Sequence, residues 1–133
     1  MIFDIDHVAI KVTEIEMVKG AFEELGYTFQ GKTRYEEVAM DIAFLGKGSG
    51  KLELLQPVDS SCPIVSDPDG MHHVALKVEN IVNTHARMSE SEYFIVQGPV
   101  RRGAHSQIFF FRIAGEESTL YECVESGPGE SYV

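Results

Sequence analysis

The sequence predicts an α+β protein built from two βαβββ modules, and three observations predict it. The first is an internal repeat. His7-Val8-Ala9-Ile10-Lys11-Val12 returns 66 residues later as His73-Val74-Ala75-Leu76-Lys77-Val78. The match runs on without a gap: Ile15 falls on Ile81, Phe22 on Met88 and Tyr27 on Tyr93. Self-similarity at a fixed period governs the architecture before any propensity is weighed. The second observation is strict alternation within each copy, the signature of a strand with two unlike faces. Val8, Ile10 and Val12 point one way, and His7, Ala9 and Lys11 the other. The third is the order of elements after each copy: one helical pattern, then three strand-like runs.

Residues 2–12 read as a strand. Thr13 or Glu14 starts a helix, with acidic residues in the first turn as the helix dipole favours. Ile15, Val18, Phe22 and Leu25 recur at helical spacing on one face, and Gly26 ends the helix. That stripe is expected to cover the Val8/Ile10/Val12 face. Residues 27–33, 37–45 and 51–55 read as strands, with the Gly46-Lys47-Gly48-Ser49-Gly50 cluster as a turn. The first module is assigned to residues 1–57, a linker to 58–69, the second module to 70–126 and a tail to 127–133, all within a single domain. In the second module, 71–78 is a strand, Asn80 caps a helix over 81–88, and 93–97 is a strand broken by Gly98-Pro99. Residues 101–105 are a loop, and 106–113 and 119–124 are the last strands.

Length and composition set bounds. A chain of 133 residues buries a real core without disulfide or metal staples. Its net charge of −10 excludes the basic footprint of a nucleic-acid binder. No run approaches the ~18 apolar residues of a membrane span, and the start at Met1 lacks the basic and apolar regions of a signal peptide. The two cysteines, Cys62 and Cys123, are too few for a disulfide framework, and both read as free thiols of a reducing cytoplasm.

The symmetric polar residues carry the chemistry. Each copy of the repeated strand opens with a histidine, His7 or His73, on the face away from the branched aliphatics. The last strand of each half also ends alike, Leu52-Glu53-Leu54-Leu55 answering Leu120-Tyr121-Glu122-Cys123. An ionised carboxylate inside a buried sheet is costly unless it is paired or bound to a cation. Two such glutamates and two such histidines, symmetric in a repeat, form a candidate site for a divalent ion of the Ni, Co, Zn, Mn or Fe type.

The sequence resembles the vicinal-oxygen-chelate superfamily, which includes glyoxalase I, methylmalonyl-CoA epimerase, drug-binding resistance proteins and ring-cleaving dioxygenases. The residues that carry the resemblance are Asp6-His7-Val8-Ala9-Ile10, Lys51-Leu52-Glu53-Leu54-Leu55-Gln56-Pro57, Gly70-Met71-His72-His73-Val74-Ala75 and Leu120-Tyr121-Glu122. It implies a cupped, mostly antiparallel sheet around a divalent ion, with His7, Glu53, His73 and Glu122 as ligands. Within the superfamily the pattern is nearest methylmalonyl-CoA epimerase, through Leu54 to Ile64, the His72-His73 pair and Gly103-Ala104-His105.

That resemblance implies proton transfer next to a thioester carbonyl. Glu122 and Glu37 are the candidate bases, and Arg101, Arg102 and His105 are candidate substrate contacts. Lys47 is a further cation able to hold a phosphate or carboxylate. His72 is expected on the helix side and His85 on the helix surface, both in structural roles. The implied partners are a small thioester or hemithioacetal and a second copy in a homodimer. Two other readings stay open: a glyoxalase I-type lactoylglutathione lyase, and a metal-free small-molecule binding protein.

Overall fold

The computed structural model describes residues 2–125, and the segment assigned to the tail lies outside them. The first half runs β1 (Ile2–Lys11), α1 (Ile15–Glu24), β2 (Thr28–Tyr35), a 3₁₀ turn (Glu36–Val38), β3 (Met40–Lys47) and β4 (Gly50–Pro57). The second runs β5 (Gly70–Val78), α2 (Ile81–Glu90), β6 (Phe94–Arg102), β7 (Gln107–Ile113) and β8 (Glu116–Glu125). The α+β class and the βαβββ order hold in both halves. The chain forms two compact units. One spans His7–His72, and the other takes the residues from His73 on together with the start of β1 up to Asp6.

In the first half the strands lie in the order β2-β3-β4-β1. β1 runs parallel to β4, and the other two pairings are antiparallel. Helix α1 supplies the crossover between strands that parallel pairing requires. Its apolar face does what the periodicity predicts: Ile15, Val12, Ala43, Leu45 and Leu54 are buried together, with Ile10, Val18, Phe22 and Tyr27 against them. Leu25 departs from the expected stripe and is 64% exposed. It is the C-cap, one residue past the last helical position, so the helical period no longer directs it inward. Gly26 comes next with φ +96°, the left-handed conformation that ends helices. The Lys47 ammonium donates to the Leu25 carbonyl at 3.1 Å, so Lys47 is committed to closing this helix.

The second half repeats the plan in the order β5-β8-β7-β6, with β5 parallel to β8. Val78, Ile81, Met88, Phe109, Phe111 and Cys123 form its core. Asn80 caps α2 as expected, its side chain accepting from the Asn83 N–H at 3.0 Å. Both cysteines are free and buried.

Several boundaries differ from expectation, two of them at irregular backbone. The third strand begins at Met40 rather than residue 37, because Glu36–Val38 turns as a 3₁₀ helix ending on Ala39 in the left-handed region. In the second half, Gly98-Pro99 does not end the strand. β6 continues to Arg102 across an irregularity between Gln97 and Arg101. Proline, which cannot donate to the ladder, is tolerated in an edge strand at such a bulge. His85 fixes this bulge, its ring Nε2 lying 2.8 Å from the Gly98 carbonyl. No helix among the described residues is long and apolar enough to cross a membrane.

Candidate metal centre

Strand register places each glutamate beside its histidine. In the first half Ala9 lies opposite Glu53, and in the second Ala75 lies opposite Glu122. Side chains alternate, so His7 shares a face with Glu53 and His73 shares one with Glu122. Structural equivalence therefore pairs Leu52-Glu53-Leu54-Leu55 with Tyr121-Glu122-Cys123-Val124, one residue later than the sequence comparison set it. Glu53 and Glu122 are 69 apart while the histidines are 66 apart. The three extra residues fall between Phe110 and Glu122, where the β7–β8 pairing also shifts register.

Each half holds the same buried pair. His7 Nε2 lies 3.4 Å from Glu53 Oε1, and His73 Nε2 lies 3.3 Å from Glu122 Oε1. All four residues are more than nine-tenths buried. Each imidazole also meets a phenylalanine edge-on: His7 against Phe44 at 5.8 Å, and His73 against Phe110 at 5.4 Å. Phe44 and Phe110 lie directly across the ladder from Glu53 and Glu122. These two aromatics are part of the site that sequence reasoning passed over. They too are 66 residues apart, so the repeat that exposed the histidines also carried the signal for them.

The donor set fits a divalent ion. Neutral imidazole and carboxylate oxygen suit first-row metals. Two donors each about 2.1 Å from one ion at a tetrahedral angle lie about 3.4 Å apart. That is the separation each half presents. Glu53 is only 8% exposed, so its charge has little water to stabilise it, and a cation or a protonated histidine must do so.

The other candidates fall in different places. Arg101 pairs opposite Ile108, on the face that carries Phe110 and Glu122, and its guanidinium lies over the Phe110 ring at 5.2 Å. Arg102 pairs opposite Gln107 and so points to the other face. His105 is half-buried in the turn between β6 and β7. Glu37 stands exposed on the 3₁₀ turn ahead of β3. His72 lies on the face opposite His73 and binds the Asp67 carboxylate at 3.0 Å, a structural role.

Paired βαβββ halves, each with a buried histidine beside a buried glutamate, define one class of protein. The family model of the Glyoxalase/Bleomycin resistance protein/Dioxygenase superfamily matches residues 6–111, and the chain belongs to that superfamily.

Bovine mitochondrial methylmalonyl-CoA epimerase is 28% identical over 113 residues, covering 80% of this chain and 65% of that protein. The chain thus spans just under two thirds of this curated relative's length. A structure of a hypothetical protein from Bacillus halodurans superposes with a TM-score of 0.85 at 27% identity, covering 96% of this chain and 97% of that one. A variant of Streptomyces coelicolor methylmalonyl-CoA epimerase, in complex with 2-nitronate-propionyl-CoA, superposes with a TM-score of 0.83 at 22% identity, covering 98% of this chain and 99% of that one.

Proposed function

We propose that this chain is a metal-dependent enzyme that moves a proton on the carbon next to a thioester carbonyl, as a methylmalonyl-CoA epimerase does. The reading treats residues 1–126 as one domain in which the two His–Glu halves share a divalent ion. The observation that carries it is the symmetric burial of His7 with Glu53 and His73 with Glu122, at 3.4 and 3.3 Å. The names of the relatives supply the substrate class.

An ion held by these residues would supply Lewis acidity at the thioester oxygen and so make the neighbouring C–H more acidic. The chain's own residues do the rest. His7, His73, Glu53 and Glu122 hold the ion and, being buried, keep bulk water from it. A carboxylate must take the α-proton on one face of the flattened carbon, and a second acid must return one on the other. Glu122 and Glu37 are assigned those two positions. A carboxylate becomes a stronger base when bound substrate covers it and strips away its water. Arg101, on the Glu122 face, is assigned to an anionic group of the substrate, with His105 nearby in sequence. A homodimer is the assembly assigned to the chain, and sedimentation reads that state directly.

The test is proton exchange. Purified protein with added divalent ion is incubated with methylmalonyl-CoA in deuterated water. Deuterium entering the α-position, faster than without protein and abolished by a chelator, supports the reading. No exchange, together with turnover of a glutathione hemithioacetal, would assign the lyase activity instead.

A further inference from the structure

Lys11 lies on the histidine face of β1, and the fold buries it to 6% exposure. A buried ammonium is costly unless its three donors find acceptors. It finds them in the linker. The Lys11 Nζ donates to the Val65 carbonyl at 3.0 Å and to the Asp67 carbonyl, and it lies 3.6 Å from Asp69 Oδ1. The other Asp69 oxygen accepts from the Thr13 hydroxyl at 2.8 Å. The Asp67 carboxylate in turn binds His72 at 3.0 Å. Residues 65–72 are thus fastened to the end of β1 through one cation, although the segment has no helix or strand of its own before Gly70. Lys77, the equivalent residue 66 positions later, is only half-buried.

The geometry points to Lys11 as a positioning residue: its ammonium sets the path of linker 65–69 and so the placement of the His72-His73 segment beyond it. His7 and Lys11 share one strand face, and the linker that Lys11 grips runs into the strand that carries His73. This deepens the proposed metal site and rests on that reading for its functional consequence. The fastening itself does not depend on an ion. The linker oxygens form a socket for an alkylammonium, with the strand supplying the stem.

Lys11→Ala tests this, because it removes the side chain beyond Cβ, head included, and leaves room for propylammonium. Amide hydrogen exchange is followed across residues 65–73 and, as a reference, across α2. Removing one partner of a buried pair is strongly destabilising. Exchange across 65–73 is therefore expected to speed by about a hundredfold, with α2 changed far less. Propylammonium should restore slow exchange, and propanol, equal in stem but uncharged, should not. In the same variant, affinity for added Zn²⁺ should fall by roughly tenfold, and propylammonium should recover it.

Unchanged exchange in Lys11→Ala would overturn the proposal. So would faster exchange that propanol rescues as well as propylammonium, since packing of the stem would then be the whole effect. Uniformly faster exchange that includes α2, with no rescue, also counts against it. If wild-type protein binds no Zn²⁺ while the exchange results hold, the metal reading fails and the linker fastening stands.

Discussion

The Gln56 side-chain oxygen accepts the backbone N–H of Ile15 at 2.8 Å, so the end of β4 closes the first turn of α1. The second half repeats the device with a charge, Glu125 Oε2 accepting from Ile81 N–H at 3.1 Å. Helix N-termini leave N–H groups without intrahelical partners, and Glu14, the residue before α1, gives no side-chain cap. Gln56→Leu is therefore expected to cost about 1 kcal/mol. Glu125→Leu should cost somewhat more, since it also removes an anion from a helix N-terminus. Urea midpoints at constant m-value check both.

Acid should weaken the first half through a different pair. The Arg34 guanidinium binds both carboxylate oxygens of Asp41, through Nε to Oδ1 and through Nη2 to Oδ2 at 3.2 Å. Hydrogen bonding from Arg34 holds the Asp41 carboxyl below its ordinary range against the opposing effect of its partial burial. A depressed folded pKa contributes stability that is complete above the unfolded value of ~3.9 and is lost as pH falls toward the folded one. Asp41→Asn should therefore lower the urea midpoint at pH 7 and make it less sensitive to pH below 4. Parallel urea titrations of both proteins from pH 7 to pH 3 measure this.

Neither thiol should react in the folded protein. Cys62 and Cys123 are 2% and 0% exposed, and burial pushes the Cys123 thiol up to about 12. The thiolate is the reactive species, so at pH 8 both burial and protonation protect Cys123. Labelling with an aromatic disulfide reagent should stay near zero in buffer and reach two equivalents per chain in denaturant.

The two neighbouring arginines should separate in kinetics. Arg101 shares the Glu122 face and Arg102 does not. With a thioester substrate that carries an anionic group, Arg101→Ala should raise KM by roughly tenfold, the worth of one charge-assisted contact. Arg102→Ala should leave KM within about twofold. Equal effects from both substitutions would remove Arg101 from the site.

Much of the fold was legible because the repeat fixed the order of elements and alternation fixed the faces. His7 and His73 stood out for the same reason. The register of the second glutamate was not legible. Three additional residues between Phe110 and Glu122 shift the alignment, and no local pattern marks where they fall. The places of Phe44 and Phe110 were not legible, because only the ladder shows that they lie across from the glutamates. The continuation of β6 past Pro99 was hidden because proline forbids a donor, not a strand, and an edge bulge supplies the exception. Alternation placed Lys11 on the His7 face but gave no sign of its burial. Its burial depends on a linker without periodicity, whose path no sequence pattern encodes.

On the proposed reading, the two buried His–Glu pairs together hold a divalent ion. Stripped protein is titrated with Zn²⁺ by calorimetry, alongside His7→Ala, Glu53→Ala, His73→Ala and Glu122→Ala, each checked for native circular dichroism. Stoichiometric binding in the wild type, lost or weakened at least a hundredfold by every one of the four substitutions, is the predicted result. Wild-type affinity retained in folded variants of either half would contradict it.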